Sequence, residues 1–172
     1  MIKNPSLLNP VLLEKTHKRD KFDCGYESLN IFLQNYAIQN TKNNSSRTYV
    51  SICQTKDVIA GYYTLTYGSI SHSEATEKVK KRMPNYPIPV MILARLAVSR
   101  EYKKLGLGRG LLKDALLRTL QASNIAGLRA IIAHAKDITA KNFYLKYGFE
   151  ESVLDQYHLM LRVQDIELAT KE

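Results

Sequence analysis

Apolar residues recur at helical spacing in FDCGYESLNIFLQNYAIQN (22–40), where Leu29, Phe32, Leu33, Tyr36 and Ala37 fall at i, i+3, i+4, i+7 and i+8. A 3.6-residue repeat gathers all five on one face, which predicts an amphipathic helix. Val11–Leu13 before it reads as a short strand. After polar TKNNSSR (41–47), the β-branched and aromatic runs TYVSIC (48–53) and VIAGYYTLTYGSI (58–70) are separated by a turn around TKD, and so predict an antiparallel pair. Residues 71–89 hold three prolines and a basic run, the composition of a long exposed loop with one helical turn. VMILARLAVS (90–99) is almost continuously apolar, as in a central strand covered on both faces.

From Gly108 onward Leu111, Leu112, Ala115, Leu116 and Leu120 share one helical face, with Lys113, Asp114, Arg118 and Gln121 opposite. GLRAIIAHA (127–135) then reads as a buried strand, and strand, helix, strand makes a crossover whose two strands run parallel. DITAKNFYLKYGF (137–149) predicts a short helix capped by Asp137 and ended by Gly148. ESVLD and HLMLRV look like closing strands, followed by a polar tail. The fold class is therefore α/β (α+β), a mixed central sheet flanked by helices, and residues 1–172 are expected to form a single domain.

Composition narrows the setting. A chain of 172 residues, 45% hydrophobic and 24% charged, can bury roughly 70% of its unfolded surface in one core. No apolar run approaches the ~20 residues of a membrane span, and the N-terminal MIKNPSLLNPVLLEKTHKRDK is too interrupted for a secretory signal, so a cytoplasmic protein is expected. Cys24 and Cys53 read as reduced packing residues, and no Cys or His pair has the spacing of a metal site. The charge does change the picture: 25 basic against 16 acidic residues leave +9. Lys15, Lys18, Arg19 and Lys21 form one cluster, and Lys78, Lys80, Lys81 and Arg82 another. Either cluster alone reads equally well as a solvated face, but together with the net charge they favour a polyanionic partner.

The candidate chemistry lies in VSREYKKLGLGRGLLKDALL (98–117), where Gly106, Gly108 and Gly110 crowd the mouth of a helix. A glycine in a helix costs about 1 kcal/mol relative to alanine, so helix stability does not explain them. The first turn offers free backbone N–H groups and the positive end of the helix dipole, and a bare backbone lets an anion reach them. The third glycine of a dinucleotide fingerprint is missing at its spacing, and no lysine followed by Ser or Thr closes the loop as ATP binding requires.

The order of elements, with K-x-x-G-x-G at Lys103–Gly108 and F-Y-x-x-x-G-F at Phe143–Phe149, resembles the GNAT superfamily of acyl-coenzyme A N-acyltransferases over almost the whole chain. The resemblance implies a βαβ unit that binds acetyl-CoA, without a metal. Lys103, Lys104, Leu105, Gly106, Leu107, Gly108, Arg109 and Gly110 would form the pyrophosphate cradle, although the family usually has Arg or Gln where Lys103 stands. Leu96, Ala97 and Val98 would offer backbone groups to the pantetheine arm and to the thioester oxygen. Tyr144 matches the tyrosine that serves as general acid, able to protonate a thiolate whose conjugate acid has a pKa near 8.5. Tyr147 reads as packing, Asp137 stands beside the coenzyme where the family often has Asn, and His134 is a secondary proton carrier. Arg95, a charge in an apolar strand, reads equally as a structural ion pair or a substrate contact. No general base stands out.

The N-terminal segment 22–50, GYYTL, ARLAVSREY and the basic loop together resemble more narrowly the GNAT toxins of bacterial toxin-antitoxin modules. That resemblance implies acetylation of the α-amino group of aminoacyl-tRNA, a block of translation, a ribbon-helix-helix antitoxin as partner, and a homodimer. An α-amine with a pKa near 8 is substantially neutral at cellular pH, which explains the missing base. Arg95, Lys78, Lys80, Lys81, Arg82, Lys15, Lys18 and Arg19 are then the candidate tRNA contacts. The alternatives are a GNAT enzyme for a small amine or a protein N-terminus, and a non-catalytic binding module.

Overall fold

The computed structural model describes residues 5–171, so the first residues of the N-terminal segment read above lie outside it. Among the described residues seven strands form one sheet, in the order β1 (Val11–Leu12), β2 (Arg47–Cys53), β3 (Val58–Ile70), β4 (Ile88–Val98), β5 (Ala130–His134), β7 (His158–Arg162) and β6 (Glu150–Glu151). By contacts the chain divides into two compact units: residues up to 65 together with 95–114, and residues 66–94 together with 115 onward.

In the first unit β1 (Val11–Leu12) pairs antiparallel with β2 (Arg47–Cys53), and β2 pairs antiparallel with the first part of β3 (Val58–Ile70). A bulge between Ser51 and Ile52 shifts that second register. The predicted amphipathic helix is α1 (Glu27–Ile31) and α2 (Ala37–Lys42), joined through a π-helical turn at Phe32–Tyr36. The wider turn changes the phase of the pattern: Phe32, Leu33 and Ala37 are buried, whereas Tyr36, expected on the same face, is 57% exposed. The buried side chains meet Leu13, Phe22, Val50, Ile59 and Tyr62 in one core. Tyr62 stacks on Phe32 and donates its hydroxyl to the Leu29 carbonyl at 2.7 Å, which satisfies its polar end within that core.

The second unit carries the parallel pair. Val90–Leu93 of β4 (Ile88–Val98) runs alongside Ala130–Ala133 of β5 (Ala130–His134), and β5 pairs antiparallel with β7 (His158–Arg162). β6 is only Glu150–Glu151, so most of ESVLD is loop. The proline-rich segment contains a single short helix, α3 (Glu77–Lys80), capped by the Thr76 hydroxyl. Arg129 holds the end of that helix by donating to the Val79, Lys78 and Lys81 carbonyls at 2.7, 3.0 and 3.0 Å. The segment read as a polar tail instead forms α6 (Ile166–Thr170), anchored by a fully buried Ile166.

Candidate active site

The glycine mouth opens α4 (Leu107–Ser123). Lys104 and Gly106 take left-handed conformations, φ +64° and +81°, which turn the chain from β4 into the helix. The first helical bond runs from the Gly110 N–H to the Gly106 carbonyl at 3.1 Å, so the N–H groups of Leu107, Gly108 and Arg109 precede the helical ladder. A side chain added at Gly106 or Gly110 would meet no protein atom within 4 Å. Neither glycine is there to relieve packing; both leave open space beside the positive helix end, and Lys104 and Arg109 are exposed there. These residues fit a pyrophosphate. Lys103 is already partly engaged, donating to the Cys24 carbonyl at 2.9 Å, with its ammonium 5.9 Å from the Tyr26 ring.

At the end of β4, Ala97 is buried while Leu96 and Val98 are half-buried. β5 ends at His134, so its pairing with β4 stops at Leu93 while β4 continues to Val98. Within the first unit this end is held through the Ser99 N–H, which donates to the Ala60 carbonyl at 2.8 Å. Gly61 permits the approach: a Cβ there would stand 2.9 Å from the Leu111 side chain and 3.0 Å from the Ala97 carbonyl oxygen. Arg95 is half-buried with its guanidinium 3.6 Å over the Phe32 ring, a cation–π contact that neither reading anticipated. Tyr63, fully buried, donates its hydroxyl to Asp114 on α4, a tie that reading Asp114 as a solvent-facing residue had missed.

Tyr144 lies on α5 (Ile138–Lys146). Asp137 caps that helix, its carboxylate accepting from the Ala140 N–H at 2.8 Å, and Gly148 at φ +91° ends it. The ring of Tyr144 is only 7% exposed and packs 5.3 Å from both Phe143 and Phe149. Burial raises its pKa above the ordinary phenol value, so the hydroxyl is a proton donor at neutral pH. One turn earlier, buried Lys141 pairs with Glu151 at 2.6 Å and donates to the side-chain Oε1 of Gln156 at 3.2 Å. The lysine of ITAKNFYL (138–145) carries no sequence signal of that burial. Tyr147 is half-buried against Phe143, as expected of packing. His134 stacks on His158 at 5.2 Å, with Nε2 3.5 Å from Asp155.

The basic clusters are unequal. Lys18 pairs with Asp57 at 3.1 Å, Lys78 with Glu150 at 3.0 Å and Lys80 with Glu77 at 2.9 Å. The like charge of nearby Lys15 pushes the Lys42 pKa down. Arg19 has Nε and Nη1 buried without a hydrogen-bond partner. Cys24 and Cys53 are both free and buried. Among the described residues no helix is long and apolar enough to cross a membrane, and no cluster of His, Cys, Asp and Glu is arranged to hold a metal.

Comparison with known proteins agrees with this geometry. A tRNA-acetylating toxin of Mycobacterium tuberculosis (strain ATCC 25618 / H37Rv) is 42% identical over 144 residues, covering 84% of this chain and 85% of that protein. The structure of AtaT complexed with acetyl-methionyl-tRNAfMet superposes with a TM-score of 0.87 at 27% identity, covering 95% of this chain and 98% of the other. A mutant AtaT toxin bound to acetyl-CoA and the C-terminus of the antitoxin AtaR gives a TM-score of 0.79 at 27% identity, covering 97% and 99%. The family model for the acetyltransferase (GNAT) domain matches residues 20–169, and with nearly the whole chain inside that match, this protein belongs to the GNAT acetyltransferase family.

Proposed function

We propose that this protein is a toxin that transfers acetyl from acetyl-CoA to the α-amino group of aminoacyl-tRNA and thereby blocks translation. The observation that carries the reading is the 42% identity, over 84% of the chain, with a protein named for acetylating tRNA. Acetyl-CoA supplies the activated acyl group. The neutral α-amine attacks the thioester carbonyl, a C–N bond forms, the C–S bond breaks, the amine gives up a proton, and coenzyme A leaves as its thiol. The first turn of α4 holds the pyrophosphate through backbone N–H groups, and the backbone of Leu96, Ala97 and Val98 aligns the pantetheine arm and steadies the oxyanion. Lys103, Lys104, Leu105 and Arg109 flank that cradle, while Asp137 serves it indirectly by capping α5.

Tyr144 donates its phenolic proton toward the departing sulfur. Its raised pKa keeps it protonated, and the same desolvation raises the proton affinity of a thiolate buried beside it, which brings donor and acceptor closer in strength. A ribbon-helix-helix antitoxin neutralises the toxin, which works as a homodimer in the cytoplasm, where charged tRNA is found. Acetylation leaves the aminoacyl ester without the nucleophile that peptide-bond formation needs. Thiol release from acetyl-CoA tests the reading: it should be fast with charged tRNA and near background with the same tRNA after deacylation. Equal rates with both, or fast release on free amines alone, would replace this reading with a small-amine acetyltransferase.

A further inference from the structure

The basic loop does not act as one run. Lys78 and Lys80 are neutralised by Glu150 and Glu77, whereas the side chains of Lys81 and Arg82 have no hydrogen bond or ion pair among the described residues. Those two line a pocket of 210 Å³ with Arg129, Arg162 and Gln164, all within the second unit. Arg162 is held by Asp165, with Nε and Nη2 each 3.1 Å from a carboxylate oxygen. Arg129 is fixed only by the neutral carbonyls of Lys78, Val79 and Lys81, so its charge is oriented but not cancelled. Its burial lowers its pKa most, the neighbouring Arg162 adds to that, and Asp165 offsets part of it. Four cationic side chains thus line the pocket, and of the two carboxylates that act on Arg162, Asp165 pairs with it while Glu150 is already paired with Lys78. Arg82 adds a second sign, because it holds a left-handed backbone at φ +61°, a conformation that strains any residue with a Cβ and collects at ligand sites.

We propose that this pocket is a phosphodiester-binding site that seats the tRNA backbone, separate in role from the glycine mouth that takes the coenzyme's phosphates. The inference rests on the tRNA reading above. The lining decides between a nucleic-acid and a protein occupant: guanidinium forks match phosphate oxygens, while the aromatic or aliphatic anchor wall that a protein partner needs is missing from it. A second basic cavity, 470 Å³ in the first unit, makes a useful contrast. It has Lys18, Lys21 and Lys56 but also Asp20 and Glu101, and Lys18 and Lys56 are already paired with Asp57 and Glu101. Phosphate contacts fix position without reading sequence, so the pocket should hold many tRNAs alike.

The test is Lys81→Ala/Arg82→Gly in the full-length protein. Glycine accepts the left-handed backbone at position 82, so melting should be unchanged or slightly raised while both free cations are lost. The probe is bulk deacylated tRNA, with affinity measured against salt concentration. Affinity at physiological salt should fall about ten-fold, and the slope of log affinity against log salt should flatten by about 1 to 2, the yield of two lost phosphate contacts. Acetyl-CoA affinity should stay the same. Unchanged tRNA affinity and slope, in a wild-type protein that does acetylate charged tRNA, would overturn the pocket and leave the enzyme reading standing. A variant that keeps tRNA but loses its antitoxin would assign the pocket to protein and overturn it as well. A wild-type protein that transfers no acetyl to charged tRNA would mean instead that the underlying reading had failed.

Discussion

At the scale of single residues, the proposed proton transfer rests on Tyr144 and the start of its helix on the Asp137 cap. Tyr144→Phe keeps a ring in the same packing against Phe143 and Phe149 and removes only the donor. Turnover should fall roughly 10²-fold or more with unchanged melting and coenzyme affinity; wild-type turnover would remove Tyr144 from the mechanism. Its raised pKa also sets the pH profile. The rate should rise as the α-amine loses its proton near pH 8 and should not fall again before about pH 10, since the buried phenol is still protonated there. A basic limb below pH 9 would contradict that. Asp137→Ala deletes the cap on Ala140 N–H and should lower stability by about 1 kcal/mol, a melting shift of about 2–4 °C. The Asp137 cap and the place of Tyr144 on that helix were legible because each is a residue type at a fixed offset. The burial of Lys141 and the seating of Arg95 on Phe32 were not, since each depends on a partner far away in sequence.

At the scale of elements, β-branched and aromatic runs predicted β2 and β3, continuous apolar runs predicted the buried strands β4 and β5, and helical spacing predicted α4. The failures have local causes. The π-helical turn at Phe32–Tyr36 widens the helix without any sequence mark and rotates Tyr36 into solvent. The C-terminal helix α6 is only five residues long, and its one buried side chain, Ile166, makes no pattern. The two glycines that bracket the candidate site separate by function. Gly61 is a packing glycine, so Gly61→Ala should drive a methyl into the Ala97 carbonyl and the Leu111 side chain and lower stability by about 1–3 kcal/mol, read by chemical denaturation. Gly110 faces open space inside α4, so Gly110→Ala should raise stability by about 1 kcal/mol while weakening acetyl-CoA binding. Stabilisation with unchanged acetyl-CoA affinity would move the phosphates away from this turn.

At the scale of the whole molecule, a charge of +9 was the earliest sign of a polyanionic partner, and the sequence placed it in two runs. What it did not reveal was which charges are already spent. Lys18, Lys78, Lys80 and Arg162 find carboxylates in the fold, while Arg129, isolated in sequence, joins Lys81 and Arg82 among the cations that remain. The central claim is that the acetyl acceptor is an amino acid esterified to tRNA. It is tested most directly by incubating the protein with bulk charged tRNA and isotopically labelled acetyl-CoA, hydrolysing the ester, and identifying the labelled products by mass spectrometry. The predicted result is label on the α-nitrogen of one or a few amino acids released from tRNA, and none on the same amino acids supplied free; label on free amines or protein N-termini, with the tRNA-borne amino acids unmodified, would contradict it.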